Sequence, residues 1–234
     1  KMVIPECLIP SNFLLELCFE LFVIYLLVRL VKAVYNCLLR PTKDLVKRYG
    51  EKSWVLVTGA TDGIGKGYAE AFAKRGFNLI LVSRTESKLN KVKEELLEAY
   101  REKKIEIKVL PYDFSKKCQL VDYEEAFGPL IRSLDISVLV NNVGVSHEDY
   151  FYKLENNQYI YDYINVNIVV QTVLTKLFMT KMNERKNKSA IISMSSIAGD
   201  VPYTGNAIYA ACKAYNDFLS RALYGEFDYE KGNI

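Results

Sequence analysis

A chain of 234 residues has room for one globular domain with a sizeable core plus an appendage, and 50% hydrophobic with 25% charged residues is ordinary for a folded protein. The formal net charge of +3 is too small to indicate nucleic acid as a partner. Five scattered cysteines with no Cys-x-x-Cys pair, and a single histidine, exclude a zinc site and suit a reducing compartment.

The chain starts at Lys1-Met2 and stops at Gly232-Asn233-Ile234 inside what reads as a continuing domain, so a piece of something longer is expected. Residues 1–40 form a hydrophobic segment of their own. Between 13 and 39, Leu, Val, Phe, Ile and Tyr dominate and neither Gly nor Pro occurs. Residues 21–28 are uncharged, with Glu16 and Glu20 on one side and Arg29 and Lys32 on the other. A spanning helix needs about 20 mainly apolar residues, so this one spans only if its charges snorkel or find partners. Glu16 and Glu20 share a helix face, but Arg29 falls nearly opposite Glu20, so no single polar stripe emerges. That pattern argues against a simple helix lying on a membrane surface. A membrane-spanning or deeply inserted helix is therefore the expectation. A helix docked on a partner subunit, or an interfacial anchor, is the alternative. Acidic residues and the lack of a small-residue cleavage site make it a poor signal peptide. The basic excess that follows (Arg29, Lys32, Arg40, Lys43, Lys47, Arg48) would set the next domain in the cytosol. Pro41 and Thr42 are expected to end the helix and open a linker over 41–51.

From residue 52 short apolar runs alternate with longer helical patterns. Strands are predicted over 54–58, 78–82, 105–110, 136–140 and 190–194. A helix through Ala69, Ala71 and Ala73 follows the first, and a charged helix over 88–101 carries Leu89, Val92, Leu96 and Leu97 at helical spacing. Long helices are expected over 162–183 and 206–227. The alternation predicts an α/β fold, a doubly wound parallel sheet of Rossmann type covered on both faces. The Lys/Glu-rich stretch 86–104 is a solvated helix face and not a nucleic-acid site.

Directly after the first strand comes Thr58-Gly59-Ala60-Thr61-Asp62-Gly63-Ile64-Gly65, spaced Gly-x-x-x-Gly-x-Gly. A glycine turn here lets the backbone approach a dinucleotide pyrophosphate, and the following helix presents free N–H groups to it. At the end of the second strand, where an acidic residue would bind the adenine ribose and repel a 2′-phosphate, stand Ser83-Arg84. A guanidinium suits a phosphate, so NADPH is expected over NADH. Near the end, Ser195-Ser196 precede Tyr209-Ala210-Ala211-Cys212-Lys213, a hydroxyl, a phenol and an ammonium able to serve a carbonyl. Tyr209 and Lys213 lie one helical turn apart on one face. Ser196 and Tyr209 would hydrogen-bond the oxygen that gains charge in a ketone reduction. A free phenol has a pKa of about 10, and a nearby ammonium favours its phenolate.

These residues resemble the short-chain dehydrogenase/reductase family from about residue 52 to the end. The glycine motif matches without a gap. Asn141-Asn142-Val143-Gly144 matches Asn-Asn-Ala-Gly with valine for alanine, and Ser196, Tyr209 and Lys213 fall at the family spacing. The resemblance implies an adenine contact from Asp113, cofactor contacts from Asn142 and Gly144, a ribose contact from Lys213, and a water-linked proton path through Asn167. Cys212 replaces a common Ser or Thr, with little expected effect. His147 and its neighbours Glu148 to Phe151 look like a mobile, substrate-facing loop. With its hydrophobic N-terminus the chain is similar to the membrane-anchored branch of very-long-chain 3-oxoacyl-CoA reductases and 17-beta-hydroxysteroid dehydrogenase type 12. That implies NADPH-dependent reduction of an acyl-CoA or steroid ketone at the cytosolic face of the endoplasmic reticulum, in lipid metabolism such as fatty acid elongation. The family's later strands and substrate-covering helices are missing after Ile234, which would leave the fifth strand as an exposed apolar edge. The competing reading is an accessory or structural subunit of a membrane complex, for instance in the mitochondrial inner membrane, that retains bound NADP(H). Homo-oligomers fit either reading.

Overall fold

The computed structural model describes residues 11–40, 43–154, 156–229 and 232–234. Pro41 and Thr42, expected to end the first helix, lie outside the described residues. The chain separates into two compact units, Lys1–Lys43 and Asp44–Ile234.

In the first unit, helix α1 (Ser11–Val34) runs into a π-helical turn, Tyr35–Leu39. Phe19, Phe22, Ile24, Leu27 and Leu30 are all exposed. Arg29 Nη1 donates to the Tyr25 hydroxyl at 2.8 Å, one turn back on the same face. Among the described residues no helix is long and apolar enough to cross a membrane. That corrects the spanning expectation. Glu16 and Glu20 on one side, and Arg29 and Lys32 on the other, leave a charge-free run well short of the roughly 20 residues a span requires.

The second unit opens with a short helix, α2 (Leu45–Tyr49), inside the stretch expected to be linker. Asp44 caps it, accepting from the Val46 and Lys47 amides at 3.0 and 3.1 Å. Leu45, Val46 and Tyr49 pack against the core. Gly50 (φ +98°) ends the helix in a conformation that glycine adopts most readily. Residues 44–51 thus belong to the domain, because this one turn has apolar side chains to bury.

Five strands follow: β1 (Trp54–Thr58), β2 (Asn78–Ser83), β3 (Ile107–Pro111), β4 (Ile136–Asn141) and β5 (Ala190–Ser193). They form one parallel sheet in the order β3-β2-β1-β4-β5. The strands are apolar almost throughout because both faces are covered. Val55, Val57, Leu79, Leu81, Val138 and Val140 point to one side, where α3 (Gly63–Ala73) and α4 (Glu86–Ala99) pack with Phe72, Leu89 and Leu96. Leu56, Ile80, Val82 and Leu139 point to the other, against Tyr123 of α5 (Leu120–Ser133), Leu174 and Phe178 of α7 (Val170–Asn183), and Val166 in the turn that joins α6 (Gln158–Ile164) to α7. Period two along each strand separates the two cores.

Helix α5 was not foreseen. Asp122 starts it by accepting from the Gln119 amide at 2.9 Å, and it carries Pro129 within it. The long helix expected over 162–183 begins earlier, at Gln158, and is broken by a π-helical turn, Asn165–Val169, between α6 and α7. Helix α8 (Ala207–Tyr229) closes the unit. All four residues of β5 are partly buried, and among the described residues β5 pairs with β4 alone. The order reverses between β1 and β4. A crevice opens there, beyond the C-terminal ends of the strands, where doubly wound sheets take their ligands.

Candidate active site

The turn after β1 is held by interlocking side chains. Thr58, fully buried, donates to the Val140 carbonyl at 3.1 Å and accepts from the Asn142 and Val143 amides at 2.9 and 3.1 Å. Its hydroxyl ties β1 to the end of β4 and does not line the crevice. Asn142 Nδ2 donates to the Thr58 and Gly59 carbonyls at 2.9 and 3.3 Å. Gly59 (φ +66°) adopts the left-handed backbone. A Cβ on Gly65 would overlap the Gly59 carbonyl oxygen and lie 2.5 Å from Asn142 Nδ2. Gly65 is thus glycine for packing, and it too stands behind the crevice wall. Ile64 is exposed and off the wall.

The crevice holds a cavity of about 610 Å³. Of the expected cofactor residues, Gly59, Thr61, Asp62, Gly63, Ser83, Arg84, Asp113, Asn142 and Gly144 line it; Thr58, Ile64, Gly65, Tyr209 and Lys213 do not. Thr61 and Ser83 hydroxyls share a hydrogen bond of 3.1 Å. Asp62 caps α3, accepting from Gly63 N at 2.7 Å. Gly63 (φ +52°) has nothing within 4 Å of where a Cβ would stand, so the turn stays open to the cavity. Arg84 is exposed and makes no hydrogen bond or ion pair among the described residues. Asp113 accepts from Ser115 N and Oγ at 3.1 and 2.7 Å. A dinucleotide fits this wall: the turn leaves room, the α3 N-terminus faces it, and one guanidinium is free for a phosphate.

The second group is packed more tightly. Lys213 is 4% exposed; its ammonium donates to the Met194 carbonyl at 2.8 Å and lies 5.5 Å from the centre of the Tyr209 ring. Ser195 Oγ donates to the Lys213 carbonyl at 2.7 Å, so the end of β5 braces α8 on both sides of that lysine. Burial pushes the Lys213 pKa below the ordinary lysine value. Burial likewise raises the Cys212 thiol to about 11, which keeps it protonated and inert. Ser196 Oγ accepts from Ala198 N at 3.2 Å at the start of a single 3-10 turn, Ile197–Gly199. Its own O–H is left to donate. Asn167 sits in the π-turn, 1% exposed. Its Oδ1 accepts from Val145 N at 3.2 Å, and Nδ2 donates to the Val145 and Tyr163 carbonyls at 3.0 and 3.1 Å. Both its donor hydrogens are thus taken by backbone.

Gly144 joins the two groups. It lines the cavity, and a Cβ there would lie 2.8 Å from Asn167 Oδ1 and 3.5 Å from Lys213 Nζ. Asn167 and Lys213 therefore approach the cavity at Gly144, where an added side chain would crowd Asn167. Tyr112, Ser115, Val145, Ser146, Tyr159, Asp162, Tyr163 and Val166 also form the wall, and no motif marked them in advance. They come from three separate segments; Tyr159, Asp162, Tyr163 and Val166 recur at helical spacing, but no spacing links one segment to another. His147, noted in the sequence only as the lone histidine of a substrate-facing loop, lines the cavity as well, its ring 5.0 Å from that of Tyr159.

Residues 53–234 match the model of the short chain dehydrogenase family. The chain belongs to the short-chain dehydrogenase family. It is similar to human "Inactive hydroxysteroid dehydrogenase-like protein 1", 41% identical over 187 residues, covering 79% of this chain and 53% of that protein. It is also similar to mouse "Very-long-chain 3-oxoacyl-CoA reductase", 39% identical over 183 residues, covering 77% of this chain and 55% of that one. The chain thus spans about half the length of the curated relatives it matches. Among solved structures, a short-chain dehydrogenase from Sphingobium yanoikuyae in complex with NADPH superposes with a TM-score of 0.67 at 31% identity, covering 75% of this chain and 66% of that one.

Proposed function

We propose that this protein is an NADP(H)-dependent reductase of a ketone on a bulky, lipid-like substrate. The observation that carries the reading is the junction at Gly144, which lines the cavity and against which Asn167 and the buried Lys213 pack, with Tyr209 beside that lysine. Arg84, without a partner among the described residues, stands on the same cavity's wall. Thr61, Asp62, Gly63 and Asn142 would hold the dinucleotide, with Arg84 and Ser83 on the 2′-phosphate and Asp113 at the adenine. When bound, the cofactor supplies the hydride that reduces the carbonyl carbon.

The chain's own residues manage the oxygen and its proton. Ser196, whose hydroxyl keeps its donor hydrogen, and Tyr209 hydrogen-bond the carbonyl oxygen as negative charge grows there. Tyr209 then gives up its proton to that oxygen. The Lys213 ammonium stabilises the resulting phenolate by its charge, and the Met194 carbonyl keeps that ammonium from turning away. Asn167 spends both side-chain donors on the Val145 and Tyr163 carbonyls, which holds the chain after β4 in place, and a water accepted by Asn167 would complete the proton path that the family resemblance implies.

The substrate class follows the relatives, a 3-oxoacyl-CoA or a steroid ketone. Helix α1, with its exposed apolar side chains, would attach the protein to a membrane without spanning it, at the cytosolic face of the endoplasmic reticulum. Flotation of the chain with phospholipid vesicles, lost when residues 1–43 are removed, tests the attachment. For the reaction, NADPH absorbance is followed with 3-oxoacyl-CoA thioesters of several chain lengths and with steroid ketones, beside Tyr209→Phe. Turnover in the wild type that vanishes in the variant supports the reductase.

The word "Inactive" in the human relative's name favours a second reading, a nucleotide-holding subunit without turnover. NADPH binding with no oxidation on any of these ketones would select it.

A further inference from the structure

After β4 the chain runs on from Gly144 through residues 145–149, of which Val145, Ser146 and His147 line the cavity. This stretch is a strap tied at nearly every residue. Asn167 grips both main-chain groups of Val145. Asn206 Nδ2, at the start of α8, donates to Ser146 Oγ at 2.8 Å, and Asp149 N donates to the Gly205 carbonyl at 2.8 Å. The fourth tie is Tyr163, 3% exposed, whose hydroxyl accepts from the His147 amide and donates to the His147 carbonyl. The main-chain carbonyl of Tyr163 accepts in turn from Asn167 Nδ2 at 3.1 Å and from the Cys212 thiol at 3.8 Å, one residue from Lys213. Burial raises the Tyr163 pKa, so the phenol keeps the proton it donates.

We infer that Tyr163 is a positioning residue of this site: by holding both main-chain groups of His147 it sets the strap against which the dinucleotide is seated. It acts through the strap and takes no part in proton transfer. The inference rests on the reductase reading for the identity of the ligand. A strap released from Tyr163 samples other conformations and must be ordered again when NADPH binds, which weakens binding without touching the reacting groups.

The test uses the whole chain carrying Tyr163→Phe, which keeps the buried ring and the main-chain carbonyl. Tyr161→Phe, an exposed phenol on the same helix and off the cavity wall, is the control. Two hydrogen bonds of ordinary net strength correspond to about a 10-fold effect. Without nucleotide, amide exchange over 145–149 is expected to quicken about 10-fold in Tyr163→Phe, with β1 and β4 unchanged. The NADPH Kd from fluorescence titration, and the KM for NADPH, should rise by about the same 10-fold while kcat at saturating NADPH holds. A merely structural role would lower the active fraction, and so kcat, with KM for NADPH unmoved. That result overturns the inference, as does exchange or a Kd matching Tyr161→Phe. Wild-type chain that binds NADPH beside an indistinguishable Tyr163→Phe removes this inference alone. Wild-type chain that binds no NADPH removes the reductase reading, and this inference with it.

Discussion

The two ends of the cavity treat their polar groups differently. At the dinucleotide end, Arg84 has no partner among the described residues and Gly63 leaves open space, so this guanidinium and this turn are left for a ligand to fill. At the Tyr209 end, Lys213, Asn167 and Ser195 are engaged by backbone. An exposed guanidinium stays hydrated until a phosphate replaces the water, so freedom costs little there. A buried ammonium has no such recourse and must be both paired and immobile. The contrast separates two kinds of failure: damage at the first end should appear in binding, and damage at the second in turnover.

The largest effect is expected from Tyr209→Phe, which removes the proton donor and should lower kcat about 10²–10⁴-fold while the NADPH Kd is unchanged. A comparable loss of binding would break the division between the two ends. Arg84→Ala comes next. Loss of a charge-assisted contact to the 2′-phosphate should weaken NADPH, but not NADH, about 10- to 100-fold, as read by titration with both dinucleotides. Equal affinities in the wild type would remove Arg84 from the selectivity argument.

Gly65→Ala is of similar or smaller size. Its methyl group would force the Gly59 carbonyl and Asn142 apart, costing about 1–3 kcal/mol, and should reduce both thermal stability and NADPH affinity. The Lys213 ammonium gives a pH signature. Its folded pKa lies below the ordinary 10.5, so between that depressed value and 10.5 the unfolded chain binds more protons and stability rises with pH. Lys213→Met should flatten that rise in urea-unfolding series at alkaline pH. The smallest effect lies in the core. The Tyr123 hydroxyl is buried without a partner among the described residues, in contact with Tyr112, Phe114 and Phe127. Tyr123→Phe should leave stability unchanged or raise it by about 1 kcal/mol, measured by the urea midpoint.

Much of the fold was legible from short-range pattern. Val55 to Thr58, Leu79 to Val82 and Val138 to Val140 are apolar runs of strand length separated by helical spacing, and each became a buried parallel strand. Less was legible where the signal was short or mixed. Leu45, Val46 and Tyr49 span a single turn, too little for a helical period to show, and only their contact with the core identifies α2 as part of the domain. Helix α5 escaped because Gly128 and Pro129 interrupt its pattern. For helix α1 the sequence left spanning conditional on how Glu16, Glu20, Arg29 and Lys32 are accommodated, and among the described residues no helix is long and apolar enough to cross a membrane.

By itself the sequence determined the strand order in time, the glycine turn, and the Tyr209–Lys213 pair, because each is a matter of neighbours within one or two turns of chain. The tertiary structure alone decided that Thr58 and Gly65 pack behind the wall, that Asn167 spends its donors on Val145 and Tyr163, and that Gly144 is the joint between the two ends. It alone brought His147 to Tyr163 and Ser146 to Asn206. Such contacts join segments far apart in the chain, and which polar groups meet depends on how the two faces of the sheet are packed, a distance no residue spacing encodes.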